Sequence, residues 1–132
     1  MLRTPRGRDH LLNQAMIKFN PLPPLARLNE LFEVVEIPED KYGEWSGLVR
    51  KIGRPGGGKA GSVAGGLVPA PTNPDRVHWR VRVDGSAYFV SRIIYYMTYG
   101  TDPEGIQVDH KDQNWLNNNT WNVRIVTGKS TF

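Results

Sequence analysis

From Val77 to Asp84 the chain alternates strictly, Val77, Trp79, Val81 and Val83 with His78, Arg80, Arg82 and Asp84, and Asp84-Gly85 then precedes Ala87-Tyr88-Phe89-Val90. A strand turns successive side chains to opposite faces, so this spacing makes one apolar row and one basic row. Asp-Gly accepts the positive φ angles that a two-residue hairpin turn demands. With that turn Val81 faces Tyr88 and Arg80 faces Phe89, and two arginines, a histidine and an aromatic share one side. Such a ribbon can lie in a DNA groove or along phosphates, or be an ordinary solvated sheet face.

Helices are expected on either side of the hairpin. After Pro21, Pro23 and Pro24, apolar residues recur at three- and four-residue steps through Leu25, Leu28, Leu31 and Phe32, which predicts a short amphipathic helix opened by proline. Ser91 through Tyr99 predicts a second, with Ile93, Ile94 and Met97 at core spacing and Gly100 as its terminator. Tyr95, Tyr96 and Tyr99 are read as packing groups. Residues 53–74 are rich in glycine and proline and are expected to form a mobile loop with at most a short strand. Within it Gly53-Arg-Pro-Gly-Gly-Gly58-Lys59-Ala60 comes near a phosphate-binding P-loop, but Ala60 lacks the hydroxyl that would hold magnesium, and the following glycines oppose the required helix.

Charge is unevenly distributed. The chain has 17 Lys plus Arg against 13 Asp plus Glu. Residues 47–92 carry eight basic side chains against Asp75 and Asp84, whereas residues 29–45 carry six acids and one lysine. The basic middle suits phosphates. Residues 1–20, with Arg3, Arg6 and Arg8, read as a flexible basic arm. With no cysteine there are no disulfides and no thiolate zinc sites. No apolar run is long enough to span a bilayer, so a soluble, cytoplasmic protein is expected.

The C-terminal stretch places adjacent Asp109 and His110 at the end of a short apolar strand, followed by a loop crowded with asparagine and a second short strand from Val123 to Val126. Asparagines in such loops usually bond their own backbone as turn formers, which accounts for Asn117, Asn118 and Asn119. It does not account for a carboxylate beside an imidazole. Phosphodiester hydrolysis needs a base for water and a metal to neutralise the phosphate. Histidine titrates near neutrality, and aspartate offers the oxygen ligand that magnesium prefers.

The pattern Val108-Asp109-His110-x-Asp112-x-Asn114-x-x-Asn117-Asn118-x-x-x-Asn122-x-Arg124-x-x-Thr127 resembles the motif of phage and homing-type HNH endonucleases. Leu25 to Phe32, Lys59 to Gly65, the hairpin through Asp84-Gly85, and Arg92-Ile93-Ile94 before Gly100 are similar to the usual leader of these proteins. The resemblance implies an α+β chain: a small antiparallel hairpin or sheet with short helices over residues 21–100, then a β-β-α-metal motif over 101–132. It further implies that Asp109 binds Mg²⁺ or Mn²⁺ and that His110 activates water. Asn122 would fix the histidine and its loop, and Arg124 would lie near the scissile strand.

The implied partner is double-stranded DNA, met by His78, Arg80, Arg82, Arg92 and Arg124. Two departures stand out. Family members carry a second metal ligand, histidine or asparagine, on a closing helix at the position of Thr131, and the sequence stops at Phe132, so an incomplete helix and a weakened metal site are expected. Ser91 also stands where relatives commonly have histidine. The leading expectation is a metal-dependent DNA endonuclease or nickase; the alternative is an HNH-derived module that binds DNA or protein with weakened catalysis.

Overall fold

The computed structural model describes residues 19–54, 56–71 and 73–126. Residues 1–18, most of the expected basic arm, lie outside it, as does Thr131. Among the described residues the fold is α+β, with two α-helices, a single 3-10 turn (Glu39–Lys41) and three small antiparallel sheets.

Helix α1 (Leu25–Leu31) begins after Pro24, whose carbonyl accepts from the N–H groups of Arg27 and Leu28 at 2.9 and 3.1 Å. Proline opens the helix because its own fixed φ suits the turn and its missing N–H is not needed there. Leu28 is fully buried. Outside, the Arg27 guanidinium reaches both carboxylate oxygens of Asp84, at 3.1 and 2.9 Å, and so ties α1 to the hairpin turn. The chain then passes straight into β1 (Phe32–Val34), which pairs antiparallel with β2 (Leu48–Arg50).

The hairpin is realised with the register that the alternation implies: β4 (Val77–Val83) pairs with β5 (Ser86–Phe89), Val81 opposite Tyr88 and Arg80 opposite Phe89. Asp84 and Gly85 both have positive φ, +49° and +91°, as the turn requires. The glycine-rich stretch does include a short strand. Gly66–Pro69 forms a third strand, β3, on the other edge of β4, and Val63 bridges Val49. Gly65 makes this possible: at φ +96° a Cβ there would stand 2.6 Å from the Arg80 carbonyl oxygen.

Helix α2 (Val90–Tyr99) follows β5 without a linker and stops at Gly100, whose N–H closes on the Tyr96 carbonyl at 2.8 Å with φ +71°. It packs on β4, β5 and the last sheet, β6 (Val108–His110) with β7 (Val123–Ile125). Leu28, Phe32, Leu48, Trp79, Val81, Val83, Val90, Ile93, Ile94 and Val123 form one apolar cluster with Ala64, drawn from both helices and from every sheet. Val123 therefore anchors the C-terminal strands to the core.

Among the described residues no helix is long and apolar enough to cross a membrane.

Candidate active site

Strand β6 ends in two neighbouring side chains that must point to opposite faces. Asp109 points outward, about a third exposed, and lies in register with Arg124 of β7. An Arg124 Nη2 donates to its Oδ2 at 3.3 Å. His110 points inward opposite Val123 and is 4% exposed. Burial pushes its imidazole below the ordinary range, against the opposing effects of a bond to Asn118 and of the Asp109 and Asp112 charges. A neutral imidazole near neutral pH is a competent proton acceptor.

The His110 ring is held from behind. Its Nε2 lies 2.7 Å from Asn118 Oδ1, and Asn118 Nδ2 donates to the Ser46 carbonyl at 3.0 Å. Ser46, fully buried, donates its Oγ to the Ala64 carbonyl at 2.6 Å. A position adjacent to Ser46 explains the close fit: a Cβ on Gly47, at φ +98°, would meet Ile94 Cδ1 at 2.7 Å.

Asparagines dominate the loop between the two strands. Asn122 was expected to fix the histidine as well as the loop, but the structure gives it the loop alone. Its Oδ1 accepts from the Asp112 N–H at 3.0 Å, and its Nδ2 donates to Asp112 Oδ1 and to the Asn117 carbonyl, both at 2.8 Å. The residue that touches the ring is Asn118. Asn117, Asn118 and Asn119 are all buried, and two of them bond far from their own backbone. Asn119 accepts from the Ile37 N–H at 2.7 Å and donates to the Ile37 carbonyl at 3.0 Å, across 82 residues of chain. The reading of these asparagines as local turn formers is therefore corrected: Asn118 and Asn119 staple the loop to the stretch between β1 and β2.

Asp112 is the hub of this network and not a free carboxylate. Oδ1 accepts from the Asn114 N–H and Asn122, and Oδ2 from Asn117, all at 2.8 Å. Burial pushes its carboxyl up, yet the three donors, with a smaller contribution from His110, outweigh that and hold it below the ordinary carboxylate range. Asp109, about a third exposed and met by Arg124 at Oδ2, is the carboxylate of the pair that a cation could reach by displacing that contact. Among the described residues no group of three or more His, Cys, Asp or Glu is placed to hold a metal ion. A hard cation at Asp109 would complete its shell with water and substrate oxygens, which suits magnesium or manganese better than zinc.

The basic face of the hairpin reaches this loop through Trp115. The Arg76 guanidinium sits 3.8 Å over the Trp115 ring, whose other neighbour is His78 at 5.9 Å between centroids. His78 meets Phe89 edge-on at 5.5 Å, and Arg80 lies 5.0 Å over Phe89. Burial lowers the His78 pKa, and the positive charges of His110, Arg76 and Arg80 lower it further, so His78 is within electrostatic reach of His110. Arg82 is exposed, its Nη1 3.3 Å from the Gly85 carbonyl.

Arg92 differs from the other predicted contacts. It is 3% exposed, donates Nη1 to the Ile106 carbonyl at 2.7 Å and Nη2 to the Glu104 carbonyl, and lies 3.7 Å over the Phe19 ring. Both amino groups are used to close the turn before β6, so the expectation that Arg92 meets nucleic acid is corrected. Sequence reasoning also passed over Asn118, Ser46, Trp115 and Arg76. A signal existed for Trp115, a large aromatic inside a polar loop, but none for Ser46, whose role is made by a main-chain carbonyl.

The strand-borne Asp109-His110 pair is thus backed by an asparagine-locked loop and a second short strand. Residues 88–130, which include the Asp109-His110 pair, match the family model described as HNH endonuclease. No curated protein and no solved structure matches the chain.

Proposed function

We propose that this chain hydrolyses phosphodiester bonds of double-stranded DNA, with a divalent cation at Asp109 and His110 as general base. The observation that carries the reading is the adjacency on β6 of a part-exposed carboxylate in register with Arg124 and an imidazole held by its own asparagine, close enough for the carboxylate charge to act on the ring. A cation bound at Asp109 supplies charge neutralisation on the phosphate. His110 takes the proton of the attacking water. Arg124, exposed next to Asp109, contacts the strand to be cut. Arg76, Arg80 and Arg82 follow the duplex backbone along the basic face, and Trp115 fixes that face relative to the base.

The test is supercoiled plasmid incubated with the chain, with Mg²⁺ or Mn²⁺ and with chelator. Metal-dependent relaxation or linearisation supports the reading. DNA binding without cleavage under any divalent ion favours the alternative, an HNH-derived binding module, for which the Arg124 contact to Asp109 speaks, since it already engages the carboxylate that the cation needs.

A further inference from the structure

His110 can act as a base only through the ring nitrogen that lacks the proton, and the structure supplies the means to decide which one that is. The Asn118 amide has a fixed orientation, because Nδ2 faces the Ser46 carbonyl at 3.0 Å and a carbonyl can only accept. Oδ1 must then face His110, at 2.7 Å from Nε2. An amide oxygen cannot donate, so Nε2 carries the hydrogen. In the neutral ring the lone pair falls to Nδ1. Among the described residues Nδ1 has no hydrogen-bond partner, and the fully covered unpartnered atoms are the Nε atoms of Arg50, Arg80 and Arg92.

We propose that Asn118, oriented by the Ser46 main chain, is the positioning residue of His110, holding the proton on Nε2 and leaving Nδ1 as the basic atom. The Ser46 carbonyl is itself fixed. Ser46 Oγ accepts from the Leu48 N–H at 3.1 Å and donates to the Ala64 carbonyl at 2.6 Å, while the Ala64 N–H returns to the Leu48 carbonyl at 2.9 Å. The tautomer of a residue on β6 is thus set by Ser46, 64 residues earlier and just before β2. A tautomer error is costly because a correctly placed ring with its hydrogen on the wrong nitrogen cannot take a proton from water.

The proposal rests on the reading of His110 as the base, but its test does not require activity. Histidine ¹⁵N is recorded on the whole chain at about pH 8, above the ordinary imidazole pKa of ~6.5, where the ring is neutral. His110 is assigned among the three histidines by loss of its signals in His110→Ala. The expected wild-type spectrum has a protonated Nε2 and an unprotonated Nδ1 in a single tautomer. Asn118→Leu should mix the tautomers and lower kcat about 10–100-fold with KM little changed, the range seen when a group that orients a site from behind is removed. Asn118→Asp retains an acceptor for Nε2 and should restore the tautomer even if the chain is less stable.

A wild-type ring protonated on Nδ1 overturns the proposal, as does an Asn118→Leu variant that keeps the wild-type tautomer. If Asn118→Leu fails to fold, the wild-type and Asn118→Asp spectra still decide. Absence of cleavage by the wild type, with the expected tautomer present, counts against the nuclease reading and leaves the positioning role standing.

Discussion

The β3–β4–β5 sheet and the loop from Asp112 to Asn122 are held together by opposite means. In the sheet, Trp79, Val81 and Val83 are buried in the apolar cluster, and the polar side chains between them face outward. In the loop, Asn117, Asn118, Asn119 and Asn122 are buried, and each is bonded through its side chain. Burying apolar surface is favourable in any packing that removes it from water, whereas burying an amide is tolerable only when each polar atom meets a partner in one geometry. The sheet therefore gives the molecule its core, and the loop gives one imidazole a single orientation.

The largest expected effect lies in the loop's product. His110→Ala should lower cleavage by about 10²–10⁴-fold, the usual contribution of a positioned base, while DNA affinity stays nearly unchanged. Wild-type cleavage by this variant would remove His110 from the mechanism and leave the loop's order without a catalytic purpose.

Stability distinguishes the regions next. Asn119→Ala leaves the Ile37 N–H and carbonyl without their buried partners. At about 1–3 kcal/mol for each of the two unsatisfied groups, the expected loss is ~2–6 kcal/mol. Val81→Ala, which trims the sheet's apolar row, should cost about 2 kcal/mol from lost burial and a small cavity. Urea unfolding of both variants checks the comparison, and a loss for Asn119→Ala well below that for Val81→Ala would show that water replaces the Ile37 bonds.

Legibility in the sequence follows the same division. The register of β4 with β5, the span of α2 and its Gly100 terminus were readable because period and turn chemistry are local properties. The place and partner of strand β3 were not, since its pairing depends on Gly65 admitting the Arg80 carbonyl, a contact between residues distant in sequence. In the site, Asp109 and His110 could be picked out by adjacency. Asn118 could not be separated from its neighbours, because three successive asparagines look alike until Ile37, Ser46 and Asp112 select among them. Arg92 was misassigned because composition counts charge, while the carbonyls of Glu104 and Ile106 that absorb it lie on another segment.

The outer face of the sheet should show a smaller and sequence-independent effect. Arg80→Ala with Arg82→Ala is expected to weaken binding to all duplexes alike and to reduce the slope of log affinity against log salt by about one unit per lost phosphate contact. Arg92→Ala is the contrasting variant: by unpinning the turn before β6 it should lower stability rather than change the slope. If the double variant keeps the wild-type slope, the duplex does not lie on this face.

The smallest expected effect connects the two regions through His78, which packs against Phe89 of the sheet and Trp115 of the loop. Its pKa is lowered in the fold, first by burial and then by the nearby positive charges. Below the ordinary value of 6.5 the unfolded chain therefore binds a proton that folded His78 resists. Stability rises with pH wherever the unfolded state holds more protons, so this contribution is complete above 6.5 and is lost as pH falls toward the folded pKa. His78→Phe keeps an aromatic ring between Phe89 and Trp115 and removes the titration. The variant should show a shallower fall in unfolding free energy on acidification, read from urea titrations between about pH 8 and 5. Burial, the leading cause, is insensitive to ionic strength, whereas the repulsion from Arg76 and Arg80 is screened. The difference between variant and wild type should therefore shrink only slightly in high salt. Equal slopes for the two proteins would mean that His78 titrates as freely in the fold as in the unfolded chain, and that the contact between sheet and loop is open to water.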